Sequence, residues 1–160
     1  MRTFDALRHW PHTRLAYLVF ILPVLTHASD LSSVTKAPGE LVTLEISVDS
    51  QRRAPVALEW EVVFPAQLMD MEGNGPQVGG AAKDSGKSLQ CTARTPYALV
   101  CTVSGGRTPI ADGLIAIYRF IIRPTAAKGI TALRVEKAEA TTADSTKWSL
   151  NNTEAIVVIR

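Results

Sequence analysis

Apolar and polar residues alternate with a period of two along two stretches of the chain, Val42–Val48 and Val56–Phe64. This period is typical of β-strands that have one face in a core and the other toward solvent. Pro65 ends the second stretch, because proline has no N–H to donate to a sheet. We therefore predict two half-buried strands. Their inward-facing members are Val42, Leu44, Ile46, Val48, Leu58, Trp60, Val62 and Phe64.

A short hairpin followed by a long apolar run forms the predicted centre of the domain. The hairpin strands are Ser88–Thr92 and Ala98–Val103, joined by a loop at Thr95–Tyr97. The apolar run is Leu114–Ile122, and its alternation divides the predicted central strand into two faces. The inward face would hold Ala116, Tyr118, Phe120 and Ile122, and the outward face Ile115, Ile117 and Ile121 beside Arg119 and Arg123.

The remaining stretches are shorter or less regular. Gln67–Glu72 is predicted as a connector with a single helical turn, and Gly73–Gly86 as a flexible loop or a loop with a weak strand at Gln77–Val78. Many short strands between Gly, Pro and Asn turns are typical of a sandwich. We predict an all-β jelly-roll sandwich of about eight or nine strands. Its further segments are a leader or edge segment at Ser29–Pro38, an alternating run of uncertain register at Ile130–Ala138, and strands at Trp148–Leu150 and Ala155–Ile159.

The N-terminal region has the pattern of a secretory signal peptide. Three arginines precede an apolar run of eleven residues, Leu15–Leu25, and the small residue Ala28 follows shortly after it. We predict a signal peptide over residues 1–28 and one domain over residues 29–160. The protein would then be exported to the periplasm, the cell surface or the medium. An uncleaved membrane anchor is the alternative, although eleven apolar residues are short for a bilayer.

The net charge gives no indication of a nucleic-acid partner. Residues 1–28 hold three arginines and one aspartate, so without them the 17 basic and 15 acidic residues become 14 and 14. The formal net charge of +2 therefore falls to zero. Domains that bind nucleic acid usually carry a basic patch. We expect no nucleic-acid partner and, after signal cleavage, no membrane-spanning segment.

The positions of the histidines argue against an enzyme. His9, His12 and His27 all lie in the predicted signal peptide, so the mature domain would have no histidine for a catalytic triad or a metal site. Paired carboxylates can also catalyse hydrolysis. Glu59 and Glu61 share a strand face, and we interpret them as a solvated outer face. We predict a non-enzymatic domain with no metal or cofactor.

Cys91 and Cys101 are the only two cysteines. Two cysteines in an exported chain predict one disulfide bond. A ring this small would stabilise the fold by about 2.5–3 kcal/mol in the loop-entropy description. Two free thiols are the alternative.

Several segments resemble, in their order, a known family. Gly39-Glu40 before the run at Val42–Val48 is similar to an opening strand, and the segment from Leu58 to Leu68 to a second strand with its turn. The most characteristic piece is Ile110–Ile122, in which an Ala-Asp-Gly turn leads into the central strand. Asn151–Ile159 is similar to a closing strand. Together these segments, over about residues 34–159, resemble a bacterial cohesin domain, the receptor module of cellulosomes and related secreted assemblies.

Two features depart from the family pattern. Phe64-Pro65 stands where family members usually carry an acidic or Tyr-Asp-Pro-type step, and the cystine hairpin is not a general cohesin feature. Contacts to dockerin vary across the family, so none transfers to this chain by position.

The resemblance implies a secreted recognition module that binds a dockerin-type protein partner in assemblies linked to polysaccharide breakdown. A carbohydrate-binding module with the same sandwich is the alternative, with polysaccharide as its ligand. For a protein partner, the alternation of the central strand favours its outward face. Our candidate partner-binding residues are Ile117, Arg119 and Ile121, because an exposed isoleucine row beside arginines is typical of a protein-binding surface. The alternatives are that the segment Gly73–Gly86 covers this face, or that the strand is buried on both sides.

Overall fold

The structure, a computed structural model, describes residues 32–50 and 53–160, so the predicted signal peptide lies outside the described residues. Within these ranges the chain forms eleven strands and one short helix. The strands are β1 (Ser32–Lys36), β2 (Leu41–Val48), β3 (Ala57–Val63), β4 (Met69–Met71), β5 (Gln77–Val78), β6 (Ser88–Thr95), β7 (Ala98–Ser104), β8 (Gly113–Ile122), β9 (Gly129–Thr141), β10 (Lys147–Ser149) and β11 (Thr153–Ile159), and the helix is α1 (Gly80–Asp84).

Two sheets pack face to face. The larger has the strand order β1-β11-β9-β3-β7-β6, with β10 paired to β9. The smaller has the order β2-β8-β4, with β5 paired to β8. Only β1 and β11 run parallel among the paired strands of the described residues. This arrangement confirms the predicted all-β jelly-roll sandwich, and eight of the eleven described strands have five or more residues.

Alternating side chains of both sheets fill the core between them. Leu58, Trp60 and Val62 of β3 are buried, and the inward face of β8 is completely buried. The indole N–H of Trp60 donates a hydrogen bond of 2.9 Å to the Tyr118 hydroxyl, which joins the two sheets at the centre of the core. The rings of Phe64 and Phe120 lie 5.1 Å apart between their centres. The inward faces predicted for these two strands are therefore confirmed.

The connection between β3 and β6 differs from the prediction. The single helical turn predicted at residues 67–72 is present but lies earlier, where the Pro65 carbonyl accepts hydrogen bonds from the N–H groups of Leu68 and Met69 at 2.8 and 3.1 Å. The rest of the predicted range, Met69–Met71, pairs with β8 as an antiparallel strand. Residues 73–86 are not one flexible loop: they contain the weak strand predicted at Gln77–Val78, and α1 directly after it. Sheet pairing with β8 orders a segment whose own sequence pattern is weak.

The strand after β8 is longer than predicted and its register is now defined. It extends over Gly129–Thr141, pairing with β3 on one side and with β11 and β10 on the other. Leu133 and Val135 are buried in the core, whereas Ile130 is 76% exposed. The apolar residue that begins the strand therefore lies on the surface.

Candidate partner-binding surfaces

The outer face of the smaller sheet carries the three predicted site residues. Antiparallel pairing of β2 with β8 places Ile117 opposite Glu45, Arg119 opposite Thr43 and Ile121 opposite Leu41. Ile121 is 37% exposed and Leu41 is 40% exposed, so two large apolar side chains lie side by side in contact with solvent. Arg119 is exposed and Ile117 is half-buried. We call this surface, formed by Leu41, Ile117, Arg119 and Ile121, the small-sheet strip.

The ends of the small-sheet strip differ. At one end, the Arg123 guanidinium forms a 2.6 Å salt bridge with Asp70 of β4. At the other end, α1 packs on β8, and Ile115 is only 3% exposed. The expected outward row of three isoleucines is therefore reduced to two, Ile117 and Ile121.

The outer face of the larger sheet has a charged centre that was not predicted. Glu61 of β3 was expected to be solvated, but its side chain is only 8% exposed. Its carboxylate accepts hydrogen bonds of 2.6 Å from the Lys137 ammonium and 2.9 Å from the Arg94 guanidinium. We call these three residues the Glu61 cluster.

Two strand irregularities position the cations of the Glu61 cluster. The register of β6 against β7 shifts between Ala93 and Thr95, which brackets Arg94. The register of β9 against β3 also shifts, and Lys137 adopts a positive φ of 53° there. Its backbone N–H donates to the Asn152 side chain at 3.1 Å. Because bulges depend on how strands pair, no pattern in the sequence indicates that these two cations meet Glu61.

The hydrogen bond from Lys137 is the main cause of a lowered pKa at the Glu61 carboxyl, and the charge of Arg94 acts in the same direction. Burial opposes both, since it favours the neutral acid. Glu61 is thus an ionised group at neutral pH whose two partners lie at the surface.

A groove lies where β3 leaves the larger sheet. It has a volume of about 410 Å³ and lies between the end of β3, the β6–β7 turn and the start of β9. Tyr97, at that turn, is 53% exposed. The groove is lined by Val63, Phe64, Pro65, Gln67, Tyr97, Thr131, Ala132 and Arg134.

The aromatic residues do not form a platform for sugars. The four aromatic side chains that were predicted to face inward are buried, namely Trp60, Phe64, Tyr118 and Phe120. Trp148 is partly buried and packs against the core. Tyr97 is the one aromatic side chain above one-third exposure within residues 32–50 and 53–160. Stacking against two neighbouring rings is therefore not available on this part of the chain.

The described residues were also searched for side chains that together could hold a metal ion. No group of three or more potential metal-ligating side chains converges in residues 32–50 and 53–160. The three histidines lie outside these ranges.

Cys91 and Cys101 form the predicted disulfide bond. They are directly opposite in the β6–β7 ladder, and their Cα atoms are 4.1 Å apart. Cys101 is fully buried, so the cystine lies at the edge of the core.

A search of the described residues for a helix with the length and apolar character needed to cross a bilayer finds none.

These features define a class of protein: an all-β jelly-roll sandwich of two packed sheets, with a buried core between them and one disulfide bond. No family model matches the chain, and no curated protein matches it. Solved structures do match, and they are cohesin modules.

The similarity to these modules is structural and extends along most of the chain. A cohesin of Clostridium thermocellum OlpA, solved with a dockerin, is 13% identical with a TM-score of 0.68, over 81% of this chain and 95% of that one. The sixth cohesin of Acetivibrio cellulolyticus scaffoldin B, also solved with a dockerin, is 16% identical with a TM-score of 0.67, over 81% and 95% of the two chains. The CaCohA2 module of Clostridium acetobutylicum is 22% identical with a TM-score of 0.64, over 79% and 87% of the two chains. The chain therefore has a cohesin-like fold.

Proposed function

We propose that this protein is a non-enzymatic recognition module that binds a dockerin-type protein partner. The observation that carries the proposal is the fold: similar modules, matched over four-fifths of this chain, were solved in complex with dockerins. Fold alone does not define function. The outer faces of the two sheets, one of which exposes the neighbouring apolar side chains of Leu41 and Ile121, support a binding role.

The partner-binding surface that we propose is the small-sheet strip. Of the four large apolar side chains that stand out as exposed in the described residues, two, Leu41 and Ile121, are register partners on this face. Arg119 lies next to them on β8, and arginine is frequent at the centres of protein interfaces. An apolar pair beside an arginine provides both buried area and orientation.

The experiment is a pull-down with dockerin modules from the secreted proteins of the organism that encodes this chain. Replacing both isoleucines, in the variant Ile117→Ser/Ile121→Ser, should reduce capture by about tenfold or more, because hot-spot side chains contribute 2 kcal/mol or more each. The matched control is Val63→Ser/Val100→Ser, on the outer face of the larger sheet. Circular dichroism melting curves establish that both variants fold.

The control separates two ways in which the proposal could fail. Unchanged capture by the isoleucine variant together with lost capture by the valine variant would place the interface on the larger sheet. Failure of the wild-type protein to capture any dockerin would overturn the function itself. A glycan array, run in parallel, tests the alternative of carbohydrate binding, for which Tyr97 is a single exposed ring.

We also propose that the module is exported and serves an assembly for polysaccharide breakdown. The disulfide bond supports export, because such bonds persist in oxidising compartments. The residues at positions 1–28 support it by their charge and apolar pattern. The link to polysaccharide rests on the resemblance to cohesins alone.

A further inference from the structure

The groove beside β9 adjoins an unpaired stretch of strand edge. Pairing between β3 and β9 ends at Val63 opposite Arg134. Beyond that point β9 continues to Gly129 and pairs there only with β11. Alternate residues of an antiparallel strand direct their N–H and C=O groups to opposite sides. The first residues of β9 therefore present main-chain donors and acceptors on the side of the groove.

The chain leaves this edge open for a local reason. Pro65 cannot donate a main-chain hydrogen bond, and the N–H of Phe64 is already used by the Tyr97 carbonyl at 2.9 Å. The segment then crosses to the smaller sheet, where β4 begins at Met69. The space left between the two strands is the groove of about 410 Å³.

The outer edge of the larger sheet at β6 is protected from added strands, in contrast to the start of β9. The register shift beside Arg94 interrupts its edge, and bulges and charges of this kind discourage further pairing. At the other outer edge, the described part of β1 spans five residues and ends in the charged Lys36. The first residues of β9 have neither a register shift nor a charge before Arg134, and Ile130 is strongly exposed there.

The charge of the groove indicates what kind of segment fits it. Arg134 is the only charged residue among those that line it, and no carboxylate lines it. The guanidinium of Arg134 lies 3.4 Å from Glu136 but its side chain remains 53% exposed, so it can bind a second carboxylate. Tyr97, Val63 and Ala132 provide apolar contact area on the remaining walls.

We infer that this groove is a second binding site, in which an extended segment of a partner protein adds a strand to the open edge of β9 and places an acidic side chain against Arg134. Strand addition of this kind obtains affinity from main-chain hydrogen bonds and specificity from side-chain pockets. The site lies at the end of the larger sheet, whereas the small-sheet strip is on the opposite sheet. The inference therefore does not depend on dockerin binding.

The test begins with a random octapeptide display library selected against the folded protein. We expect enriched peptides with alternating β-branched residues and one acidic residue at a fixed position. The strongest peptide, labelled with fluorescein, then serves as the probe in anisotropy titrations. In amide NMR spectra it should shift the signals of residues 129–134. A library that yields no such consensus, or shifts confined to the small-sheet strip, would overturn the inference.

Substitutions in the protein and N-methylation of the peptide backbone then distinguish strand addition from nonspecific binding. Arg134→Gln should weaken probe binding by about tenfold, because it removes a charge-assisted hydrogen bond, and Arg119→Gln on the opposite sheet should leave it unchanged. Ala132→Trp should block the groove. Methylation of the peptide's main-chain nitrogens, one residue at a time, should abolish probe binding at every second residue and leave it intact at the others. The proposal would be contradicted if the probe still bound after N-methylation at every position, or if Arg134→Gln bound the probe as tightly as the wild type does. The melting temperatures of both groove variants should lie within a few degrees of the wild-type value. The variant Ile117→Ser/Ile121→Ser should bind the probe as tightly as the wild type does.

Discussion

Glu61 is a carboxylate on an outer sheet face that is nevertheless shielded from water by its own partners. Its two hydrogen bonds are charge-assisted, and such bonds contribute more than neutral ones. In Glu61→Gln the charge is lost while the size is kept. We expect the free energy of unfolding at pH 7 to fall by about 1–2 kcal/mol, measured by urea denaturation. Because Lys137 and Arg94 are themselves exposed, they regain water in the variant, which limits the loss.

The same residue makes stability depend on pH in a defined direction. The folded-state pKa of Glu61 lies below its ordinary value of 4.5, so the ionised form stabilises the folded protein. This contribution is fully present above pH 4.5 and is lost as the pH falls through the lower folded-state pKa. The difference between wild type and Glu61→Gln should therefore shrink below pH 4.5. Glu59→Gln, an exposed neighbour on the same face, is the control and should change stability little. A constant difference down to pH 3 would contradict the assignment.

The hydroxyl of Tyr118 has a specific role within an otherwise apolar core. It accepts the hydrogen bond from the buried Trp60 indole N–H, and burial raises its pKa, so the phenol stays protonated. Tyr118→Phe keeps the ring but leaves that N–H without an acceptor, which should cost about 1–3 kcal/mol. Denaturation followed by tryptophan fluorescence measures the loss. The exposed Tyr97→Phe should change stability by less than about 0.5 kcal/mol, and equal values for the two variants would refute the role.

At the scale of elements, one glycine allows the segment of β5 and α1 to dock on the smaller sheet. A Cβ atom at Gly79 would lie 2.4 Å from the Leu114 carbonyl oxygen, a contact with backbone that cannot move aside. The N–H of Gly79 also donates to the Ile115 carbonyl at 2.9 Å. Gly79→Ala should therefore cost about 1–3 kcal/mol through overpacking and should speed amide exchange in α1.

The neighbouring glycine is a matched control for this prediction. A Cβ atom at Gly80 meets nothing within 4 Å, and Gly80 is the first residue of α1. Alanine there reduces the freedom of the unfolded chain, so Gly80→Ala should be neutral or stabilise by up to about 1 kcal/mol. If both alanine variants behaved alike, helix propensity rather than close packing would govern this segment.

At the scale of the whole molecule, periodicity predicted the parts of the fold that pack in two layers. The inward faces of β2, β3 and β8 are as expected, because alternate apolar residues of each strand pack into the core. The disulfide also followed from counting cysteines. The elements that the sequence did not reveal are those held by their neighbours, namely β4, α1 and the extension of β9 to Thr141. Their own residues show no clear period.

The candidate sites also differ in how far the sequence predicts them. The small-sheet strip could be found from alternation within one strand, although the burial of Ile115 could not, since a distant segment packs on that end of β8. The Glu61 cluster and the groove each combine residues from three or more separate segments. Their geometry depends on register shifts and on where β3 ends relative to β9. No local pattern encodes the relative position of two paired residues that are 71 positions apart in the chain, as Val63 and Arg134 are.

Export of the whole chain determines whether the cystine can form, because disulfide bonds persist in oxidising compartments. If residues 1–28 are a signal peptide, the protein recovered from the producing bacterium should begin at Ser29, and its intact mass should show an oxidised cysteine pair. Leu18→Arg/Ile21→Arg places two charges in the apolar run, which should block recognition of the signal. The variant should remain in the cytoplasm at full length with reduced cysteines, because that compartment keeps thiols reduced. The matched control Leu18→Val/Ile21→Val keeps the run apolar and should be exported. A mature protein that retains residues 1–28 at the membrane would instead support the uncleaved anchor, and the disulfide would still form if the domain faced the outside.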